Sequence, residues 1–364
     1  MPSDPGQSVA RETFVKASLP RRAWIALRNP GRIWRGMRLT KHIRALRRSA
    51  NGPLVLVNRE AGIGDIICTF PATLALRKKH PGCIIVYATR HEFAPIVEMG
   101  SCADIVVGHD YKTRDPRIRP TDFDFVYAPK LPDEVPTPDR AHLHLVDEFS
   151  NQMGVAPVDR QPRLTLPVQL VSTLSTQLSA ARTGVGPLIG IHIGPSWAVR
   201  EWINSRWADL TAKLVTELQA TVIQLGTDTD TARGEVDVER ISGAVNWVNR
   251  LALKESIAAI KGLDLLVGID SGLLHIAGAV GTRCVGIFGP IDASLRLPPA
   301  TPGEGCAGPV PCLGCHHRLP RLHWRSGCPY NIACMQTLES ETVFDACLRV
   351  LARPGNSGGG IDHP

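Results

Sequence analysis

At 364 residues the chain is too long for one typical hydrophobic core and fits about two domains. Its 43% hydrophobic and 21% charged residues are those of a globular protein. No apolar run nears the roughly 18 residues that span a bilayer, because the longest, HIAGAVGTRCVGIFG, is broken by Arg283. The net charge of +7 is concentrated at one end: residues 1–50 hold twelve Lys/Arg against Asp4 and Glu12, a net +10 that leaves −3 for the rest. With a slightly acidic remainder and no recognition motif, nucleic acid is not an expected partner.

In the N-terminal PRRAWIALRNP the apolar stretch stops after five residues at Arg28, too short for a signal-peptide core, so a cytoplasmic chain is expected. Its ten cysteines then read as free thiols or metal ligands. Ile33, Trp34, Met37, Ile43 and Leu46 recur at helical spacing among the arginines. That pattern suits an amphipathic arm attached to an anionic surface, peripheral at the inner membrane, or a helix packed on its own domain or on a second subunit. On the attachment reading, a chain beginning near Gly52 keeps its fold.

Beyond the arm, apolar β-branched runs alternate with helical patterns. Strands are expected near 53–59, 83–89, 104–108 and 123–128, with helices near 65–79, 91–99 and 142–153. After a Pro- and Thr-rich passage around 155–186 the alternation restarts, with strands near 187–193, 221–226, 263–269 and 284–289 and helices near 204–218, 253–262 and 271–280. Continuous apolar strands separated by helices mean parallel sheets covered on both faces. Two such blocks predict an α/β chain of two doubly wound, Rossmann-like domains facing across a cleft, over residues 51–175 and 176–352, with a flexible tail at 353–364.

Three stretches carry candidate chemistry. In NREAGIGDIICTF a strand runs into Gly62 and Gly64, and Asp65 follows; Ile67 stands where a dinucleotide fingerprint carries its third glycine. Asp65 suits a helix N-terminus as a carboxylate, yet the paired glycines also let a ligand approach, and a carboxylate there can accept a hydroxyl proton. In LLVGIDSGLLHIAGAVG, Asp270, Ser271 and Gly272 turn a strand into a helix and His275 lies one turn on, beside free backbone N–H groups that suit a phosphate or diphosphate. Read blandly, Asp270 and Ser271 only cap the helix and His275 is packed. In IHIGPSWAVREWINSRWADL, Arg200 sits in a loop where its guanidinium could grip phosphate oxygens.

Together NREAGIGDIICTFPATLALRKKHP, IGIHIGPSWAVREWINSRWADL, VIQLGT and LLVGIDSGLLHIAGAVGTRCVGIFGP resemble the ADP-heptose heptosyltransferases, glycosyltransferase family 9, over about residues 53–350. The resemblance implies a GT-B fold and metal-independent transfer of a sugar, with inversion, from ADP-heptose or a related nucleotide sugar to a hydroxyl. The acceptor it implies is the lipopolysaccharide core or another surface glycan, lipid-linked or free, or alternatively Ser on an autotransporter-type protein. By position, the family's general base falls on Asp65 and its donor motif on Asp270, Ser271, Gly272 and His275. Its phosphate-contacting lysine falls on Arg200, a departure, and its ribose-reaching acid on Asp228, beside Thr227. A nucleotide-sugar epimerase and a non-catalytic nucleotide-sugar-binding protein are the readings from other classes.

Cys312, Cys315, Cys328 and Cys334 have the C-x2-C-x12-C-x5-C spacing of a structural metal site. Four thiolates suit zinc, and a similar cysteine finger in the branch that heptosylates autotransporters implies iron. His316, His317, His323 and Cys306 are spare ligands nearby.

Overall fold

The structure, a computed structural model, describes residues 41, 43, 45–48, 51–60, 62–109, 118–131, 143–230, 234–318 and 328–354. Most of the expected basic arm, His323, and residues 355–364 of the expected tail lie outside the described residues. Contacts divide the chain into two compact units. One comprises described residues within 1–62, 69–130 and 148–158; the other comprises those within 63–68, 131–147 and 159–364.

The first unit is built on a parallel sheet of β1 (Leu54–Asn58), β2 (Ile84–Arg90), β3 (Ile105–His109) and β4 (Phe125–Tyr127), in the order β3-β2-β1-β4. Leu56 pairs with Val86 on one side and Val126 on the other, which places the apolar run of β1 at the centre of the sheet. Such runs, buried on both faces, are what a parallel sheet requires. Ile43 is buried to 2% exposure in a cluster with Leu54, Leu56, Val86 and Val107, and Arg47 forms a 2.8 Å ion pair with Asp124. The end of the expected arm is therefore part of this unit's core. The expectation for a chain beginning near Gly52 is corrected accordingly, since removing Ile43 uncovers apolar sheet surface.

The helical pattern over 65–79 forms two helices, Ile63–Cys68 and Phe70–Lys79. Pro71 interrupts it, because a proline has no N–H to continue the ladder. Thr69 stays helical at φ −80°, ψ −17°, and its carbonyl accepts the Thr73 N–H. The break separates the packing of the two pieces: residues 63–68 belong to the second unit.

The second unit holds a six-stranded parallel sheet. Its strands are β5 (Leu188–His192), β6 (Thr221–Gln224), β9 (Val245–Asn246), β10 (Leu265–Ile269), β11 (Cys284–Ile287) and β12 (Gly303–Cys306), ordered β12-β11-β10-β5-β6-β9. Two-residue strands β7 (Thr229–Asp230) and β8 (Gly234–Glu235) pair apart from it. Strands β10, β5 and β11 are in register at Gly268 with His192 and at Ile269 with Ile287, so their carboxyl ends lie side by side. Helix Val168–Ala180 falls inside the passage expected to be irregular. Its Ser and Thr residues hide the signal, but Leu174 and Leu178 recur four apart and are buried. Helix Ser340–Ala352 covers the sheet with Val343, Phe344, Cys347 and Val350.

Candidate active site in the second unit

Strand β10 ends at Ile269, and Asp270 and Ser271 lead into helix Gly272–Val280. Ser271 occupies the N-cap position in extended backbone, yet its side chain makes no capping bond, and Oγ is buried without a hydrogen-bond partner. Asp270 is 5% exposed and its Oδ2 is likewise without a hydrogen bond. Buried polar atoms are nearly always satisfied, so the Ser271 hydroxyl marks this turn as a candidate polar site. Arg200, on the 3-10 turn Ala198–Arg200 that follows β5, brings Nη1 to 3.5 Å from both Asp270 Oδ2 and the Asp270 carbonyl. At that distance the carboxylate and the carbonyl orient the guanidinium.

Helix Ile63–Cys68 packs directly on this turn, and glycines make the approach possible. A Cβ on Gly64 would lie 2.3 Å from His275 Cδ2, and one on Gly272 would lie 2.8 Å from Ile63 Cβ. Gly62, at φ +70°, takes the left-handed conformation that launches the helix. Asp65 lies in the first turn of that helix, so the structure brings it, Gly64 and the 270–275 segment into one unit. His275 Nδ1 is 3.5 Å from Cys68 Sγ. Burial pushes the His275 pKa down to about 4, opposed in part by Asp270, so the ring is neutral. Burial, then the Asp65 carboxylate, push the Cys68 thiol far up, and it too is neutral.

Asp228 is placed differently. Arg240 grips its two oxygens at 3.0 and 2.7 Å, Asn249 Nδ2 donates to Oδ2 at 2.7 Å, and its own N–H donates to Asn249 Oδ1. The Arg240 bonds hold its carboxyl below the usual range. Three of about four acceptor positions are thus spent on tying the loop after β6 to residues 240 and 249. Thr227 Oγ1 donates to the Thr229 carbonyl. These two residues shape a loop, whereas the Ser271 hydroxyl makes no hydrogen bond.

His192 was not legible as a site residue. It ends β5, is buried, and contacts the Leu225 carbonyl through Nδ1 at 3.2 Å; burial lowers its pKa to about 4. The only signal was one polar residue closing the apolar IGIHI. A folded-state pKa below the ordinary 6.5 means that the unfolded chain binds the proton more tightly. His192 and His275 are therefore each expected to withdraw about 1.4 kcal/mol of stability per pH unit as pH falls from 6.5 to about 4. Urea midpoints measured across that window check this, and a flat profile would contradict the buried, neutral rings.

Cys312, Cys315, Cys328 and Cys334 all follow β12 in the chain. Cys315 N–H bonds to the Cys312 carbonyl, and a Cβ on Gly289 would lie 2.6 Å from Cys334 Sγ. Burial, and then the charges of Cys312, Cys315 and Cys328, push the Cys334 thiol up to about 11. All four are free thiols. Among the described residues no group of three or more His, Cys, Asp or Glu side chains is arranged to hold a metal ion.

Residues 145–322 match the family model of glycosyltransferase family 9 (heptosyltransferase). That match takes in 178 of the 364 residues, so the chain is similar to this family over just under half of its length. It is 30% identical to lipooligosaccharide heptosyltransferase 2 of Haemophilus influenzae over 146 residues, 38% of this chain and 42% of that protein. The match thus spans less than half the length of that relative. Among solved structures, the chain resembles the iron-containing dodecameric glycosyltransferase TibC of enterotoxigenic E. coli, with a TM-score of 0.63 at 16% identity, covering 83% of this chain and 79% of that one. It also resembles ADP-heptose lipopolysaccharide heptosyltransferase II of E. coli, with a TM-score of 0.58 at 15% identity, covering 82% and 98%. Its two parallel-sheet α/β units are those of the GT-B fold. No helix among the described residues is long and apolar enough to cross a membrane.

Proposed function

We propose that the protein transfers a heptose or related sugar from an ADP-sugar to an acceptor hydroxyl, with inversion at the anomeric carbon. The observation that carries this reading is the buried, unsatisfied Ser271 Oγ at the start of helix Gly272–Val280, next to Asp270, whose carboxylate lies 3.5 Å from Arg200. Ser271 can donate its hydroxyl to a phosphate oxygen, and the unpaired N–H groups of the helix terminus add to it. The donor class follows TibC, whose solved complex contains ADP-D-β-D-heptose. In the reaction the acceptor oxygen bonds to the anomeric carbon as the bond to the β-phosphate oxygen breaks. Asp65 takes the hydroxyl proton, and ADP leaves with its charge held by Arg200 and the helix terminus. The acceptor that fits the family is a lipopolysaccharide core sugar, with a protein Ser as the alternative.

Calorimetry with ADP tests the donor site, and incubation with ADP-heptose tests the chemistry. Saturable ADP binding, with the sugar nucleotide stable until a hydroxyl acceptor is added, is the expected result. Interconversion of the free sugar nucleotide would make the protein an epimerase, and ADP binding without turnover on any acceptor would make it a binding protein.

A structural zinc or iron ion is proposed on the C-x2-C-x12-C-x5-C spacing alone, since the four cysteines as they stand are not arranged to hold one. Cys312, Cys315, Cys328 and Cys334 would hold it with all four positions filled, leaving it no part in the transfer step. Elemental analysis of protein purified without a metal-affinity tag is expected to find about one such ion per chain, lost in Cys312→Ser/Cys315→Ser along with thermal stability. A metal-free protein that is fully folded would overturn this.

A further inference from the structure

Cys68 closes helix Ile63–Cys68, one turn after Asp65, and is 1% exposed. Its Sγ lies 3.5 Å from His275 Nδ1, and neither side chain has a second hydrogen-bond partner among the described residues. The other edge of the ring lies against backbone. A Cβ on Gly64 would fall 2.3 Å from His275 Cδ2 and 2.9 Å from Nε2, so the ring fills the space that a side chain at residue 64 would take. Gly64 N would in turn lie 3.6 Å from a Cβ on Gly272, the first residue of helix Gly272–Val280. Nε2 is therefore on the side of the helix terminus and of Ser271, as expected for a helical side chain, which leans back over the preceding turn.

These contacts decide where the ring's proton sits. A neutral imidazole carries one N–H, and the hydrogen bond made by one nitrogen fixes which of the two holds it. Burial keeps the thiol protonated and the ring neutral. The thiol hydrogen has one acceptor within reach, Nδ1, while sulfur itself is a poor acceptor for a ring N–H. With Nδ1 accepting, the ring proton is on Nε2.

We propose that Cys68 is a positioning residue: its S–H donates to His275 Nδ1, leaves the ring proton on Nε2, and so makes His275 a fixed hydrogen-bond donor to the diphosphate of the sugar nucleotide. The identity of that ligand rests on the transferase reading; the thiol–imidazole bond does not. Asp65 and Cys68 are three apart on one helix and share a face, so the residue read as base and the residue that sets the His275 tautomer move as one piece.

The test uses the full chain. The S–H stretch of Cys68, isolated in the infrared as wild type minus Cys68→Ala, is expected at the lowered frequency of a hydrogen-bonded thiol; a free-thiol frequency overturns the proposal. Nitrogen-15 spectra of histidine-labelled wild type, with His275 assigned by its loss in His275→Gln, are expected to show the proton on Nε2. A proton on Nδ1 overturns it. ADP, the probe, is expected to shift the Nε2 resonance and to bind Cys68→Ala about threefold or more weakly than wild type. Cys68→Ser has nearly the volume of the alanine variant but restores a donor, so it is expected to regain part of that affinity. Alanine and serine variants with equal ADP affinity would make Cys68 a packing residue only and overturn the proposal. If neither variant folds, the wild-type tautomer and its response to ADP decide the matter alone. If wild type binds no ADP, the transferase reading fails and the diphosphate contact with it, while the tautomer still shows whether the thiol sets the ring.

Discussion

Asp65→Asn is expected to lower kcat by about 10²- to 10⁴-fold and to leave ADP affinity within about twofold. The side chain sits in the first turn of helix Ile63–Cys68, on a backbone locked in place by Gly64 against His275, so the amide occupies the same position without being able to take a proton. A carboxylate at a helix N-terminus also contributes about 0.3–1 kcal/mol to stability, so a small fall in Tm is expected as well. The two roles separate cleanly in the measurement. Near-normal turnover with a lowered Tm would return Asp65 to the part of a helix-terminal charge, whereas loss of turnover in a folded variant that still binds ADP assigns it the proton transfer.

For Arg200→Ala the expected losses fall on both constants. Turnover should drop by about 10²- to 10³-fold and ADP affinity by less, because negative charge on the leaving diphosphate is greatest in the transition state. Arg200 is oriented by Asp270 at 3.5 Å, which on the proposed reading reduces the reorganisation that a phosphate contact would need. Arg200→Lys restores a charge but not the planar fork, and should recover only part of the loss. Unchanged ADP calorimetry and unchanged turnover in Arg200→Ala would move the donor site elsewhere in the molecule.

The apolar strand runs were legible because a parallel sheet buried on both faces leaves a composition signal. Helix Asn204–Leu218 matches its expected span residue for residue. Strand β12, with the sequence GEGC, carries no such signal: its glycines are there because Gly303 and Gly305 lie against Cys284 and Ala293, a contact visible only in three dimensions. The same limit applies to the site. The D-S-G-x-x-H spacing announced Asp270, Ser271 and His275, since turn, cap and helix are local. Nothing in AGIGD announced that Gly64 lies against His275, because that contact joins residues far apart in sequence. Asp228 shows the converse: its position matched a motif, while Arg240 and Asn249, the residues that occupy it, lie 12 and 21 residues away.

The break at Pro71 bears on any attempt to recombine this protein with its relatives. A helix that follows β1 in the chain but packs with the later sheet means that inheritance by sequence and inheritance by contact differ. A chimera spliced at one point near residue 176 would join one parent's residues 63–68 to another parent's Gly272 and His275, and the fit of Gly64 against His275 tolerates no added methyl. Recombinants should therefore carry the hexapeptide Ile63–Cys68 together with residues 159–354 as a single heritable block, and libraries that respect this rule should yield more folded members than those cut at the apparent domain seam.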